Sequence, residues 1–205
     1  MTTALLSTTY FGPVQWYQKL HRYDRVLIER CESFQKQTYR NRCIIAAANG
    51  PEALTVPVEK TKTGDENSDW RISSHGNWRH LHWQALQSAY GDSPFFEYYE
   101  DDLRPFFTDE RWTTLHDFND AIIAKMCELI DIQPRIEHTT EYVKSADSIG
   151  ARDFRTAIQP KHPLPDADFE PRPYYQVFSQ RHGFIPNLSI LDLLFNMGPE
   201  SILFL

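Results

Sequence analysis

The first thirty residues contain two apolar runs with a helical pattern between them. Residues 4–8 and 25–30 are apolar and β-branched, which is typical of strands. Residues 14–23 place large side chains at helical spacing, namely Trp16, Tyr17, Leu20 and Tyr23. Strand, helix and strand in this order predict a βαβ unit with parallel strands and a right-handed crossover.

A second pair of apolar runs follows at residues 43–48 and 53–58. Asn49-Gly50 lies between them, and this dipeptide favours the tight turn of a β-hairpin. Pro57 cannot donate a hydrogen bond to a neighbouring strand. The second strand is therefore predicted to end there or to lie at a sheet edge.

The middle of the chain has the periodicity of helices. Asn77 is a suitable N-cap for a helix over residues 78–90, which Gly91 ends. Ser93-Pro94 is expected to begin another helix, and residues 113–130 carry the longest apolar stripe. The predicted apolar face of the first helix consists of Leu81, Ala85, Leu86 and Ala89.

The last third of the sequence is less regular. Residues 135–142 are predicted as a strand, residues 153–158 as a short helix and residues 174–182 as a further helix. The five prolines in residues 160–173 exclude regular structure there. Asp192 lies within an apolar run at residues 190–196 and needs a partner if it is buried. Arg181 and Arg155 are the candidates for a buried salt bridge.

These patterns predict an α/β fold in which all 205 residues form one domain. A small, partly parallel sheet is expected from the N-terminal half. Helices from the middle and C-terminal parts are expected to pack against it.

Composition and charge narrow the class of function. The net charge of −7 argues against nucleic acid as a partner. Three cysteines, Cys31, Cys43 and Cys127, match no zinc spacing and indicate buried thiols in a reducing cytoplasm. No signal peptide is expected, because the N-terminal residues MTTALLSTTYFG lack a positive n-region and a long apolar h-region. No integral membrane segment is expected, because no apolar run approaches the roughly 20 residues that span a bilayer.

The segment 34–43 is polar and locally basic, although the protein is acidic overall. It is predicted to follow a strand, and loops on rigid scaffolds often carry function. The functional interpretation is a loop that binds an anionic or polyhydroxyl ligand, and the alternative is a solvated connector. The predicted substrate-binding residues are Lys36, Tyr39, Arg40, Asn41 and Arg42. The polar segment 61–69, with Lys60 and Lys62 at its start, is predicted to be a loop that is either solvated or able to close over a ligand.

A second basic and aromatic segment surrounds Asn77. Asn77, Trp78 and Arg79 are predicted to bind substrate at a helix N-terminus, where free backbone N–H groups attract anions. His82 is the predicted catalytic acid or base. The alternative is that these side chains only cap the helix and cover aromatic surface. His80 and His82 point in different directions on a helix, so we expect no metal site.

Several segments together resemble the WbqC-like proteins. They are YFGPVQWYQKL, FQKQTYRNRC, ALTVPVEK, NWRHLHWQALQSAYGDSPFFEYY and YYQVFSQRHGFIPNLSILDLLFNMGPESI, which cover nearly the whole chain in order. The resemblance implies a single WbqC-like domain and a role in bacterial surface polysaccharides such as O-antigen. It supplies no established catalytic residues, and it leaves the cofactor unknown. The N-terminal plan also resembles the Rossmann-like nucleotidylyltransferases, but Gly12-Pro13-Val14-Gln15 replaces their HxGH motif.

Two hypotheses about function follow from the residues and the resemblance. The first is a cytoplasmic transferase that moves an acyl or aminoacyl group to an amino sugar. Its substrate is a small sugar molecule, linked to a nucleotide or a lipid. The second is a non-catalytic protein that binds the sugar or nucleotide and assists assembly in the same pathway.

Overall fold

A computed structural model describes residues 2–59 and 70–205. The predicted loop at residues 61–69, together with Lys60, lies outside the described residues. The strands are β1 (Thr3–Ser7), β2 (Arg25–Glu29), β3 (Arg42–Ala47), β4 (Gly50–Thr55), β5 (Ile136–His138) and β6 (Ala151–Asp153). The α-helices are α1 (Val14–Arg22), α2 (Trp78–Tyr90), α3 (Phe96–Leu103), α4 (Pro105–Thr108), α5 (Leu115–Leu129), α6 (Ser179–His182) and α7 (Ile190–Met197).

The predicted βαβ unit is confirmed. β1 and β2 are parallel, with Leu5 opposite Leu27, and α1 connects them. β5 adds to β2 and β6 adds to β1, both in parallel, which gives the strand order β5-β2-β1-β6. The fold is therefore mixed α/β, with a four-stranded parallel sheet and a separate antiparallel hairpin.

The sheet is covered on both faces, as parallel sheets usually are. Ala4 and Leu6 of β1 join the main core with the helices, whereas Leu5 packs with Leu27 in a small second cluster. Ala151 of β6 and Ala146 of the 3₁₀ helix Ala146–Ile149 complete that cluster. Because both faces of β1 are buried, its three central residues, Ala4, Leu5 and Leu6, are all apolar.

The predicted hairpin is confirmed, but β4 starts earlier than expected. β3 and β4 pair directly up to the turn, with Ala47 opposite Gly50, so Pro51 lies inside the strand. Pro51 is exposed, where its missing N–H costs little. Gly50 has a φ of 111°, a conformation that glycine adopts without steric strain.

The helix over residues 78–90 is confirmed, but its predicted apolar face is wrong at Leu81, which is 56% exposed. The core side of α2 instead carries Trp78, His82, Leu86 and Tyr90, which are spaced by four residues. Burial of the large aromatic rings of Trp78 and Tyr90 determines which side of α2 faces the core. Asn77 occupies the N-cap position, although its φ of 45° is left-handed and its side chain makes no capping bond.

The predicted helix over residues 153–158 is wrong. Asp153 ends strand β6, and its Oδ1 accepts a hydrogen bond from the Arg155 backbone N–H at 3.0 Å. Such a side-chain bond competes with helix formation. The predicted helix over residues 174–182 is confirmed only in its last turn, α6. Residues 160–173 contain no helix or strand, as their prolines predicted.

We predict that truncation of Leu86 destabilises the fold far more than truncation of Leu81. Leu86 is fully buried in the main core, so Leu86→Ala should lower the free energy of unfolding by about 3 kcal/mol. Leu81→Ala on the exposed side of the same helix is the matched control. Urea unfolding followed by circular dichroism measures both, and equal losses would show that α2 is oriented differently.

Candidate functional site

The strand order of the parallel sheet reverses between β1 and β6. From β1 the chain passes through α1 to β2 on one side, and β6 lies on the other side of β1. In open α/β sheets, ligands bind in the crevice outside the carboxyl ends of the strands at such a point. We refer to the pocket between the ends of β1 and β6 as the β1/β6 crevice.

Glu29, at the end of β2, is the most completely bonded carboxylate at this edge. It is fully buried and accepts hydrogen bonds from the Cys31 N–H at 2.9 Å and the Thr139 hydroxyl at 2.6 Å. It also accepts from the Val143 N–H at 2.9 Å and from Arg155 Nη1 at 3.1 Å. The side chain thus ties the end of β2 to the segments that follow β5 and β6.

Arg155 lines the crevice and is buried between two carboxylates. Its Nε and Nη2 donate to the Oδ1 and Oδ2 of Asp153 at 3.0 and 2.6 Å, while Nη1 contacts Glu29. Burial alone would raise the pKa of Asp153, but the hydrogen bonds from Arg155 hold that pKa below its ordinary value. The same bonds raise the pKa of Arg155. Arg155 therefore stays a cation at the crevice wall.

Arg40 forms the second buried ion pair of this edge. Its Nε donates to Glu32 Oε1 at 2.8 Å, and its Nη2 contacts Glu32 Oε2 in a bidentate pair. Nη2 also donates to the Ser7 hydroxyl at 2.7 Å, and that hydroxyl donates to Glu32 at 3.1 Å. The pair anchors the loop after β2 to the end of β1.

The β1/β6 crevice between these two arginines is narrow. Its volume is about 10 Å³, which is room for one water molecule. A larger ligand therefore requires the walls to separate. The lining residues are Ser7, Thr8, Thr9, Trp16, Tyr39, Arg40, Phe154, Arg155 and Ile158.

The other predicted residues of the 34–43 segment do not converge on one pocket. Lys36 is exposed, and Tyr39 is half-buried, with its pKa raised by burial to about 12. Asn41 is buried and donates to the Val56 carbonyl at 2.8 Å. Arg42, at the start of β3, donates to the Thr55 hydroxyl at 3.0 Å. Only Tyr39 joins Arg40 in the crevice.

The start of α2 forms a separate groove of about 240 Å³. The Arg79 guanidinium lies 4.5 Å from the Trp78 ring centre, and Arg79 Nε is buried without a hydrogen-bond partner among the described residues. Trp78 is buried and Asn77 is exposed. The groove is lined by Glu59, Arg71, Ile72, Ser74, Arg79, Glu110, Trp112 and Thr113.

His82 is buried beneath both segments, with 6% of its surface exposed. Its Nδ1 lies 2.9 Å from the Tyr10 hydroxyl, and the ring also hydrogen-bonds the backbone of Thr55. Burial lowers the pKa of His82 to about 4, so the imidazole is neutral at pH 7. Its catalytic role stays a prediction.

Tyr10 connects the two predicted segments. Its backbone N–H donates to the Tyr39 carbonyl at 2.9 Å, while its hydroxyl contacts His82. The segments are thus neighbours through Tyr10. However, Arg40 lines the β1/β6 crevice and Arg79 lines the α2 groove, and neither pocket contains residues of both segments.

Most of the buried network at the carboxyl edge was not predicted from the sequence. Ser7, Glu29 and Glu32 were not selected, and Arg155 was considered only as a partner of Asp192. A sequence signal was present for Glu29, because a carboxylate that ends an apolar strand needs buried donors.

The predicted salt bridge of Asp192 with Arg181 or Arg155 is wrong. Asp192 accepts from the Tyr90 hydroxyl at 2.9 Å, the Tyr174 hydroxyl at 2.7 Å and the Gln176 amide at 2.9 Å. Arg155 is occupied by Glu29 and Asp153. Burial raises the pKa of Asp192 to about 6, although the three neutral donors act in the opposite direction.

The fold and site define a mixed α/β protein whose parallel sheet carries a buried ion-pair network at its carboxyl edge. The model of the WbqC-like protein family matches residues 8–203, so the chain belongs to that family. It is 24% identical to the Mycobacterium tuberculosis protein "Uncharacterized protein Rv1507c", over 97% of this chain and 94% of the relative. No solved structure matches the chain. Within residues 2–59 and 70–205, no helix combines the length and apolarity needed to cross a bilayer.

We predict that Asp192→Asn changes how stability depends on pH. The folded pKa near 6 exceeds the ordinary 3.8, so between these values the folded state binds the extra proton. The Asp192 contribution to stability is therefore fully present below about pH 4 and is lost as pH rises through 6, by about 3 kcal/mol. Relative to the parent, Asp192→Asn should gain that amount from pH 4 to 6.

Denaturant unfolding of parent and variant at a series of pH values measures this difference. His82 acts in the opposite direction, because its folded pKa lies below its unfolded value. Its contribution is present above about pH 6.5 and is lost as pH falls through 4, but it cancels in the difference. Asp147→Asn, which removes an exposed carboxyl group, is the control. A difference for Asp192→Asn that does not vary with pH would contradict the prediction.

Proposed function

We propose that the chain acts in the biosynthesis of a bacterial surface polysaccharide of the O-antigen type. It transfers an acyl or aminoacyl group to the amine of an amino sugar that is linked to a nucleotide or lipid. The compartment of this reaction is the cytoplasm. Membership of the WbqC-like family supports the pathway, and the β1/β6 crevice with its two buried guanidinium groups supports the substrate class.

The crevice suits a phosphate of the substrate for a geometric reason. Arg40 presents two N–H groups to the two oxygens of Glu32, and a phosphate offers a guanidinium the same paired oxygens. The substrate phosphate takes the place of the Glu32 carboxylate and opens the crevice. The Thr8 and Thr9 side chains after β1 add hydroxyl groups beside it.

The predicted residues near the start of α2 position the acceptor sugar in this proposal. Arg79 lines the α2 groove, and its guanidinium lies over the buried ring of Trp78. The sugar amine attacks the activated carbonyl carbon, an amide bond forms and the activating group leaves. His82 is the proposed general base, since its neutral imidazole can accept the amine proton.

The burial of His82 favours a second candidate function. Because the ring is enclosed by protein and bonded to Tyr10, it reaches a substrate only if Tyr10 moves. A non-catalytic protein that binds the sugar or nucleotide and assists assembly needs the same arginines and aromatic rings, but no base. This alternative retains the crevice as the ligand site.

We predict that Arg40→Lys abolishes function in the cell while the protein still folds. Lysine keeps a charge opposite Glu32 but lacks the planar pair of donors that a phosphate requires. The loss of a charged hydrogen bond should weaken ligand binding about ten- to a hundred-fold. Arg25→Lys is the matched control, because Arg25 pairs with Glu137 at the opposite end of β2.

The measurement is complementation of a deletion strain of the encoding bacterium, with structural analysis of its surface polysaccharide. Circular dichroism of each purified variant verifies folding. Loss of one acyl or aminoacyl substituent from otherwise complete chains supports the transferase. Loss of the chains themselves supports the assembly protein. Full complementation by Arg40→Lys would refute the crevice as the ligand site.

A further inference from the structure

Two adjoining grooves meet at Pro199, just after the end of α7. The first, of about 570 Å³, runs between α3 and the end of α5, and its walls include Tyr98, Asp102, Glu128 and Asp131. The second, of about 520 Å³, includes Phe95, Tyr175, Met197 and Glu200. Pro199 lines both grooves, so they form one continuous surface, which we name the Pro199 surface.

The Pro199 surface exposes large aromatic side chains. Tyr98 is 73% exposed and Tyr175 is 54% exposed. The Tyr98 ring packs edge-on against Tyr99, with ring centres 4.7 Å apart, which limits its freedom before any partner arrives. Tyrosines of this kind are enriched among the residues that dominate binding energy at protein interfaces.

The charge of the Pro199 surface is strongly acidic. Asp102, Glu128, Asp131 and Glu200 contribute four carboxylates. Among the described residues, Lys125 is the cation that contacts them, with Nζ 3.4 Å from Asp102 and 2.9 Å from Glu128. The surface therefore already holds one ammonium group between two carboxylates and keeps a net negative charge.

We propose that the Pro199 surface docks a partner protein through a segment that presents lysine or arginine among apolar residues. The exposed rings and the largely apolar second groove match the apolar residues, and the carboxylates match the cations. The same charge disfavours nucleic acid and anionic membranes. This surface is distinct from the β1/β6 crevice, and the proposal does not depend on the proposed function.

The test uses a synthetic twelve-residue peptide of alternating lysine and leucine, with an otherwise identical glutamate–leucine peptide for comparison. Titration into ¹⁵N-labelled protein should shift the amide signals of Tyr98, Glu200 and Ile202 with the lysine peptide only. Added salt should weaken the binding, because the charges are exposed. Shifts confined to other regions, or equal binding of both peptides, would overturn the proposal.

Paired variants separate local contacts from overall charge. Asp102→Asn with Glu128→Gln should weaken binding about fivefold. Glu141→Gln with Asp147→Asn changes the net charge equally at exposed sites elsewhere and should leave the affinity unchanged. Tyr98→Ala should weaken binding at least about fivefold, whereas Leu164→Ala, at another exposed apolar side chain, should not.

A third pair of variants is expected to change the peptide affinity in the opposite direction. Lys125→Met frees Asp102 and Glu128 for the peptide and should tighten binding more than Lys144→Met, which changes the net charge equally. If the members of each pair behave alike, attraction is non-specific and the Pro199 surface is not a docking site.

Discussion

The buried carboxylate of Glu29 is the constraint on which the carboxyl edge of the sheet depends. A charge without partners in this position would cost several kcal/mol, so the chain must bring donors to it. Those donors come from the turn after β2, from the segment after β5 and from Arg155 after β6. β5 and β6 each contribute only three residues to the sheet. The positions of such short strands therefore depend largely on the hydrogen bonds of this one side chain.

The same network determines the shape of the candidate site. Glu29 and Asp153 hold Arg155 at one wall of the β1/β6 crevice, while Glu32 and Ser7 hold Arg40 at the other. Both cations are therefore preorganised, and both are already neutralised. A ligand must compete with a carboxylate, which favours phosphate over neutral sugar hydroxyls.

Local patterns predicted the elements whose side chains alternate or repeat over many residues. The βαβ unit, the hairpin and α5 are of this kind, because the spacing of their apolar residues indicates which positions are buried. β6 could not be predicted this way, because its three residues pair with β1 nearly 150 positions earlier. Its placement depends on contacts distant in sequence.

The site was only partly predictable for a related reason. The basic composition of residues 36–42 drew attention to Arg40, but not to its partner Glu32 or to Ser7. Polar residues in that segment also stabilise the fold, since Asn41 donates to the Val56 carbonyl and Arg42 to the Thr55 hydroxyl at the end of β4. Asp192 shows the same limit, because hydroxyl and amide donors replace the arginine that charge alone suggested.

Replacement of Glu29 by glutamine tests whether this carboxylate holds the carboxyl edge of the sheet together. The variant keeps the shape of the side chain, but its amide NH₂ group faces a hydrogen-bond donor instead of an acceptor. Arg155 also loses one of its two carboxylate partners. Glu29→Gln should lower the free energy of unfolding by about 3 kcal/mol and increase hydrogen exchange at the Cys31 and Val143 amides. Glu137→Gln, in the half-exposed ion pair of β5, should have a much smaller effect. Equal and small effects of both substitutions, with unchanged exchange at those two amides, would show that Glu29 does not hold this edge together.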